Sequence, residues 1–184
     1  MPFIKTAIPD LLIFEPRVFE DSRGYFFESF NAALLASEGV DLTFVQDNQA
    51  KSSYGVIRGL HYQLAPFAQT KFIRVLSGNI IDVVVDLRKG SPAFGQTFTI
   101  ELSAENRLQL LVPKGFAHGY SVLSDTAEVF YKCDAFYNKE AEGGILYNDK
   151  KLAVDWQIKP GDENISEKDL VLPSFENCKN NFIY

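Results

Sequence analysis

The chain has 184 residues, of which 46% are hydrophobic and 23% charged, a balance typical of one globular domain with one substantial core. The net charge of −6 argues against a nucleic-acid partner, and the sequence has neither a basic run nor a zinc-finger spacing. The two cysteines, Cys133 and Cys178, form no CxxC pair, which predicts free thiols in a reducing compartment.

The N-terminal residues contain no signal-peptide hydrophobic region, and no apolar run approaches the ~20 residues that a membrane-spanning helix needs. We therefore expect a cytoplasmic protein with no membrane partner. Neither internal repeats nor a linker divides the chain. This predicts a single domain over residues 1-184, in which the tail from about 170 to 184 is peripheral.

The first predicted elements are short. Residues 11–19 form an apolar run that ends in a turn at 20–24, and residues 25–29 are aromatic and strand-like. Residues 31–37 predict the one clear early helix, because Asn31 can cap it, Ala and Leu fill it, and Gly39 ends it.

Strands and turns dominate from residue 56 onward. Apolar or alternating runs predict strands at 56–62, 72–76, 80–87, 94–102, 108–112, 118–123 and 128–137, separated by turn residues. The 14% aromatic content also favours strands. This spacing predicts a closed or sandwiched antiparallel β fold, with a short helix from 166 to 169 over the mouth of the barrel.

The chain has only two histidines, His61 and His118. Residues 113–118 read Pro-x-Gly-x-x-His, which resembles the second half-motif of cupins, a superfamily of jelly-roll barrels. In metal-binding cupins the first half-motif supplies two histidines and a following carboxylate. Here Tyr and Gln follow His61, and the position where a carboxylate might follow offers Lys71. Because a protonated lysine repels a divalent cation and cannot bind it, we predict no metal and no cofactor.

The remaining polar residues suit acid–base chemistry. A histidine titrates near neutral pH, so His61 could remove a carbon-bound proton if a carboxylate fixed its tautomer. The candidates for that carboxylate are Asp82, Asp86 and Asp169. Lys71 could stabilise an enolate oxygen by its charge. Tyr131 lies in a strand-like run that could direct its hydroxyl inward as a neutral acid, and a core aromatic is the alternative.

Six blocks of sequence between residue 4 and about residue 169 together resemble the dTDP-4-dehydrorhamnose 3,5-epimerases. They are DSRGYFFE at 21–28, FVQDN at 44–48, RGLHYQ at 58–63, SPAFG at 91–95, VPKGFAHG at 112–119, and the segment 140–149. The resemblance implies an all-β cupin jelly-roll barrel with a few short helices. It implies an isomerase that inverts carbons 3 and 5 of dTDP-4-dehydro-6-deoxy-D-glucose, and a homodimer that exchanges an N-terminal strand.

The resemblance also implies roles at matching positions. His61 is the base, Asp169 orients it, Tyr131 is the acid, and Lys71 lies near the enolate and the phosphates. The implied substrate-binding residues are Arg23, Phe26, Glu28, Gln46, Asn48, Arg58 and His118. Asp82 and Asp86 are then left as structural or supporting residues.

The chemistry agrees with these roles, because a ketone at carbon 4 acidifies the protons on carbons 3 and 5 and inversion needs a base and an acid on opposite faces. Several alternatives stay open. They are an epimerase of carbon 3 or carbon 5 alone, a cupin 3,4-ketoisomerase, a metal-dependent cupin enzyme, and a cupin that binds sugar nucleotides without catalysis.

Overall fold

A computed structural model describes residues 2–184, which contain two large β-sheets, a small hairpin and three short helices. The helices are α1 (Ala32–Ser37), a 3-10 turn (Lys139–Ala141) and α2 (Glu167–Leu170). The strands are β1 (Phe3–Lys5), β2 (Leu12–Phe14), β3 (Phe19–Asp21), β4 (Gly24–Phe26), β5 (Gln46–Ser53), β6 (Val56–Gln63), β7 (Lys71–Ser77), β8 (Asn79–Asp86), β9 (Thr97–Ser103), β10 (Gln109–Val112), β11 (Phe116–Val122), β12 (Thr126–Cys133), β13 (Glu142–Gly144) and β14 (Asn164–Ile165).

The eight strands β5 to β12 form a jelly roll. The front sheet has the order β1-β2-β10-β7-β12-β5, and the back sheet has the order β13-β6-β11-β8-β9, with β14 parallel to β6. Strands β3 and β4 pair only with each other among residues 2–184. The chain thus crosses repeatedly between two facing antiparallel sheets, as two Greek keys require. The predicted all-β jelly roll with a few short helices is confirmed.

Strand β8 shows how the sequence places side chains inside or outside this barrel. Ile80 and Val84 pack in the core between the two sheets, whereas Ile81 and Val83 pack on the outer side of the back sheet. Because successive side chains of a strand point to opposite faces, Asp82 shares the inner face with Ile80 and Val84. Burial on both faces explains the almost unbroken apolar run of this strand.

The helix prediction at 31–37 is confirmed, since the Asn31 side chain accepts hydrogen bonds from the first turn of α1. The short helix at 166–169 is confirmed as α2, with Ser166 as its N-cap. The apolar run at 11–19 divides into β2 and β3 around Pro16, which lacks an N–H for a strand ladder. The predicted strands at 94–102 and 128–137 are shorter, because residues 94–95 form a turn and β12 ends at Cys133.

The tail beyond residue 170 packs on the outer side of the back sheet. Phe175 and Phe182 are buried there, and the Asn180 side chain donates a hydrogen bond to the carbonyl of Leu87. Most of the tail is exposed or half-buried, and these contacts attach it to the outside of the back sheet, so the predicted peripheral tail stays a prediction. The predicted single domain stays a prediction, which the core shared by both sheets supports. No helix within residues 2–184 is long and apolar enough to cross a membrane.

Candidate active site

Two adjoining cavities of about 610 and about 470 Å³ open between the front and back sheets. The residues that line both cavities are His61, Lys71, Tyr131 and Lys168. His61 comes from β6 of the back sheet, whereas Lys71 and Tyr131 come from β7 and β12 of the front sheet. Three of the four predicted catalytic side chains therefore meet in one space, with a potential base and a potential acid on opposite walls.

The alternation of the strands explains why these polar side chains point inward. On β7, Ile73 and Val75 belong to the core between the sheets, and Lys71 continues the same face at the end of the strand. On β12, Ala127 and Val129 occupy that core, and Tyr131 follows two residues later. The core thus gives way to a polar cavity at one end of the barrel.

His61 is held by the fourth predicted catalytic residue, Asp169. Nε2 of His61 lies 2.8 Å from Oδ1 of Asp169, and the Asp169 side chain is only 5% exposed, against 39% for His61. Because an ionised carboxylate can only accept a hydrogen bond, Nε2 carries the proton of the neutral imidazole. The lone pair that can take a proton is therefore on Nδ1.

Asp169 itself is fixed by the backbone around it. Ser166 caps α2 by accepting a hydrogen bond from the Asp169 amide at 3.1 Å, and the Gly59 amide donates to Asp169 Oδ2 at 3.4 Å. Burial alone would raise the pKa of Asp169, but its hydrogen bond with His61 and these further contacts outweigh burial and lower that pKa. The carboxylate therefore stays ionised beside His61.

Burial shifts the pKa values of Tyr131 and Lys71 in opposite directions, and each shift favours the neutral form of the side chain. Burial raises the pKa of Tyr131 to about 12, so its hydroxyl keeps its proton near neutral pH. Lys71 Nζ lies 6.0 Å from the centre of the Tyr131 ring. Burial lowers the pKa of Lys71, against the opposing influence of Cys133 and Asp82.

His118 also lies on the cavity wall, directly opposite His61 in the β6–β11 ladder. Its Nε2 lies 2.8 Å from Oδ2 of Asp82, and both side chains are buried. Burial lowers the pKa of His118 and outweighs the nearby Asp82 carboxylate, which raises it. His118 is therefore a neutral, fixed imidazole.

Of the three aspartates considered as partners of His61, only Asp169 contacts it. Asp82 is bound to His118, and Asp86 accepts hydrogen bonds from Arg88 and Ser91. Asp86 is fully buried and lines neither cavity. Asp86 therefore stabilises the fold through Arg88 and Ser91 and takes no part in the cavity.

Three predicted substrate-binding residues lie on β5 and β6 near the cavities. Arg58 lines the smaller cavity, and its Nε donates a hydrogen bond to Ser52 Oγ at 3.0 Å. Gln46 and Asn48 share the inner face of β5 with Ala50, which also lines that cavity. Nε2 of the Gln46 side chain donates a hydrogen bond to Oδ1 of Asn48 at 3.0 Å, so the two carboxamides form a continuous polar surface.

The other three, Arg23, Phe26 and Glu28, line neither of these cavities. Arg23 and Phe26 lie on and beside the β3–β4 hairpin, with 88% of the Arg23 side chain and 66% of Phe26 exposed. Arg23 is paired with Asp21 of the same hairpin. Within a single chain, these three residues therefore do not lie in the cavity that contains His61.

Several cavity residues were not singled out from the sequence. Glu142 and Lys168 line the larger cavity and form an ion pair at 2.7 Å, and Tyr137 lies beside them. Glu142 falls inside the block at 140–149, and Lys168 precedes Asp169, so position in a motif was the available signal. Among residues 2–184, no group of three or more His, Cys, Asp or Glu side chains is arranged to hold a metal ion.

Comparison with known proteins gives the same result from sequence and from structure. The sequence profile described as dTDP-4-dehydrorhamnose 3,5-epimerase matches residues 5–177. The enzyme of that name from Shigella flexneri is 52% identical over 171 residues, which cover 92% of this chain and 93% of the relative.

Two solved structures are similarly close. The dTDP-4-dehydrorhamnose 3,5-epimerase of Elizabethkingia anophelis has a TM-score of 0.93 and 52% identity, over 97% of this chain and 98% of that one. The dTDP-6-deoxy-D-glucose-3,5-epimerase of Legionella pneumophila, solved with dTDP-4-keto-L-rhamnose, has a TM-score of 0.91 and 44% identity, over 95% and 93%. This chain therefore belongs to the dTDP-4-dehydrorhamnose 3,5-epimerase family.

Proposed function

We propose that the cavity converts dTDP-4-dehydro-6-deoxy-D-glucose to dTDP-4-dehydro-L-rhamnose by inverting carbons 3 and 5, with His61 as base and Tyr131 as acid. The observation that carries the proposal is the His61–Asp169 pair on the back sheet, facing Tyr131 on the front sheet across a cavity that Lys71 also lines. A base and an acid on opposite faces of a ring are what inversion requires.

Each inversion consists of two proton transfers. Nδ1 of His61 removes the proton on carbon 3 or 5, the C–H electron pair becomes a carbon–carbon double bond, and the carbonyl electrons move to the oxygen on carbon 4. Tyr131 then delivers its hydroxyl proton to the opposite face, where the enolate electrons form the new C–H bond. The site is left with an imidazolium and a phenolate, and both must exchange protons with water before the next inversion.

The charged neighbours suit the intermediate of this reaction. The Asp169 carboxylate stabilises the imidazolium that forms on His61. Lys71 supplies positive charge to the same cavity, where an enolate oxygen develops negative charge. Fixed charges in a partly enclosed site are more effective than the same groups in water, because little solvent rearrangement is needed during the reaction.

The exposed hairpin supports a two-chain site. Arg23, Phe26 and Glu28 match nucleotide-binding positions, yet they lie outside the cavity of their own chain. We propose that a homodimer brings the hairpin of one chain to the cavity of its partner. Arg23 would then bind the diphosphate, for which a guanidinium has the matching geometry, and Phe26 would contact the nucleotide. Arg58, Gln46 and Asn48 would complete the substrate contacts from the cavity's own chain.

The reaction is proposed to need neither metal nor cofactor. The two histidines are each bound to a different aspartate, and Lys71 places a cation between the walls of the cavity. This set of side chains is poorly suited to a divalent metal. The expected cytoplasmic location stays a prediction.

Conversion of the proposed substrate tests this function. We would incubate the purified protein with dTDP-4-dehydro-6-deoxy-D-glucose after exhaustive chelation, and determine the configuration at each ring carbon by NMR. Inversion at both carbons by the chelated protein supports the proposal. Inversion at only one carbon indicates a single-site epimerase, tight binding without conversion indicates a binding protein, and activity restored only by added metal contradicts the metal-free mechanism.

A further inference from the structure

Asp82 is a buried carboxylate that the proposed reaction leaves without a role. It lies on the inner face of β8, its side chain is fully buried, and it contacts the cavity wall through His118. Its second oxygen, Oδ1, is also buried and has no hydrogen-bond partner among residues 2–184. A buried carboxylate that is only half satisfied costs free energy, so its retention needs a physical reason.

A reason is available on the opposite wall. Lys71 on β7 faces the same interior from the front sheet, and it takes part in none of the ion pairs found among residues 2–184. The charged or titratable groups that face Lys71 from the surrounding elements are Tyr131 and Cys133 on β12, His61 and Arg58 on β6, His118 and Tyr120 on β11, Asp82 on β8, and Lys168 and Asp169 on α2.

The carboxylates near Lys71 differ in what they contact. Asp169 is held by His61, Ser166 and the Gly59 amide and is not among the groups that raise the pKa of Lys71, and Glu142 on the rim is paired with Lys168. Asp82 is the carboxylate that raises the pKa of Lys71. The partner of Asp82, His118, is neutral, so it does not cancel the charge of the carboxylate. The negative charge of Asp82 is therefore available to balance a cation elsewhere in the barrel.

We infer that Asp82 is a positioning residue of the epimerisation site, which fixes His118 in the Nε2–H tautomer and balances the positive charge of Lys71 across the barrel. The inference rests on the proposed function, in which Lys71 must be protonated to stabilise an enolate. Through the Nε2–H tautomer, His118 keeps Nδ1 as a hydrogen-bond acceptor, which suits a substrate hydroxyl as donor. Lys71 and His118 would thus present a cation and an acceptor from opposite walls of the same cavity.

The charges around Lys71 support this account. Burial lowers the pKa of Lys71, and Asp82 is one of the two groups that raise it again. The other is Cys133, whose own pKa is raised by burial, so the thiol stays neutral near pH 7 and supplies no negative charge there. Near neutral pH, Asp82 is therefore the charged group that opposes the effect of burial on the pKa of Lys71.

The first test uses the free wild-type enzyme and no substrate. With only two histidines in the chain, ¹⁵N-histidine labelling gives two ring systems, and a His61→Asn variant assigns them. We expect His118 as the neutral Nε2–H tautomer from pH 6 to pH 9. An Nδ1–H tautomer in the wild type would overturn the inference without any variant of Asp82, and this readout does not depend on whether the proposed substrate is the right one.

The second test measures the pH profile of kcat for Asp82→Asn. Because burial raises the pKa of Tyr131 to about 12 and lowers the pKa of Lys71, Lys71 should lose its proton first and so set the alkaline limb of the profile. Removing the Asp82 charge should move that limb to lower pH by about one unit, the usual effect of one neighbouring charge. Asp86→Asn is the matched control, because it removes an equally buried carboxylate from the same strand but away from the cavity.

A double variant separates a charge effect from a packing effect. Arginine stays protonated across the whole range, so in a Lys71→Arg background the Asp82→Asn change should not move the alkaline limb. A limb that stays in place in the single variant, or moves equally in both backgrounds, would refute the charge-balancing role. If Asp82→Asn does not fold, the tautomer of wild-type His118 still decides.

Discussion

Replacing Asp169 with asparagine keeps the shape of the His61 partner but removes its charge. Nε2 of His61 and Oδ1 of Asp169 are 2.8 Å apart, which places the two charge centres roughly 4 Å apart once His61 is protonated. At an effective dielectric constant near 20, a pair at that separation interacts by about 4 kcal/mol. Since 39% of the His61 side chain is exposed, solvent screening reduces this to roughly 2 kcal/mol.

A loss of about 2 kcal/mol in the transition state slows the reaction roughly 30-fold. An asparagine can also donate to Nε2, which allows the wrong tautomer and puts the proton on Nδ1, so the total loss in kcat should reach about 100-fold or more. KM should change little, because in the proposed mechanism Asp169 acts on His61 rather than on the ground-state substrate.

The assay follows the loss of the ¹H signals of carbons 3 and 5 in deuterated buffer at several substrate concentrations. Asp149→Asn is the control, because that carboxylate is also buried but accepts backbone hydrogen bonds from residues 151, 152 and 175, away from the cavity. A kcat for Asp169→Asn within about threefold of the wild type would contradict the reasoning, since the charge estimate alone predicts a larger loss.

Three further predictions concern Tyr131 as the acid, the stability of the protein at low pH, and the contribution of the partner chain to the site. Tyr131→Phe should still exchange the protons of carbons 3 and 5 with deuterium on the face where His61 lies, but it should lower net inversion by about 100-fold or more. NMR of the product measures both, and equal losses of exchange and inversion would contradict this prediction. Folding lowers the pKa of Asp169, so its ionised carboxylate stabilises the folded state at pH values above its unfolded-state pKa of ~3.9. This stabilisation is lost as the pH falls through the folded-state pKa. Asp169→Asn should therefore flatten the acid side of a Tm-against-pH curve, and an unchanged slope would refute the linkage. Mixing the Arg23→Ala and His61→Ala variants should restore about a quarter of wild-type activity after subunit exchange. Half of the dimers then contain one chain of each variant, and one of the two sites in such a dimer is intact. No recovery would place Arg23 in the site of its own chain.

The sequence predicts the apolar strands well and the polar strand poorly. β8 is recognised because both of its faces are buried and its run is apolar. β5 was missed because its exposed face is polar and its inner face also carries polar residues, such as Gln46 and Asn48, toward the cavity end of the barrel. β5 therefore has no hydrophobic alternation, and periodicity alone cannot find it.

The candidate site was predicted to a similar degree, and for related reasons. His61, Tyr131, Lys71 and Asp169 were found because they stand in motifs, and the structure brings them together, although their catalytic roles stay predictions. The pairing of Asp82 with His118 could not be read from spacing, since it depends on how β8 and β11 lie side by side. In the sequence, Glu142 and Lys168 are not distinguishable from ordinary surface charges, and only the fold places both beside the larger cavity.

The packed tail and the separated hairpin show two further limits of the sequence. Phe175 and Phe182 belong to a polar-rich segment, and their burial depends on a sheet surface built by residues far away in the chain. Arg23 and Phe26 stand in a strong motif, but the motif does not show that they lie outside the cavity of their own chain. Positions of this kind are fixed by tertiary packing rather than by local pattern.

Solvent deuterium exchange during turnover tests the central claim most directly. Wild-type enzyme and His61→Ala are incubated with dTDP-4-dehydro-6-deoxy-D-glucose in deuterated buffer, and carbons 3 and 5 are followed by NMR. We expect deuterium at both carbons with the wild type and at neither with His61→Ala, because His61 is the proposed base for both inversions. Exchange at both carbons that continues at the wild-type rate in His61→Ala would contradict it.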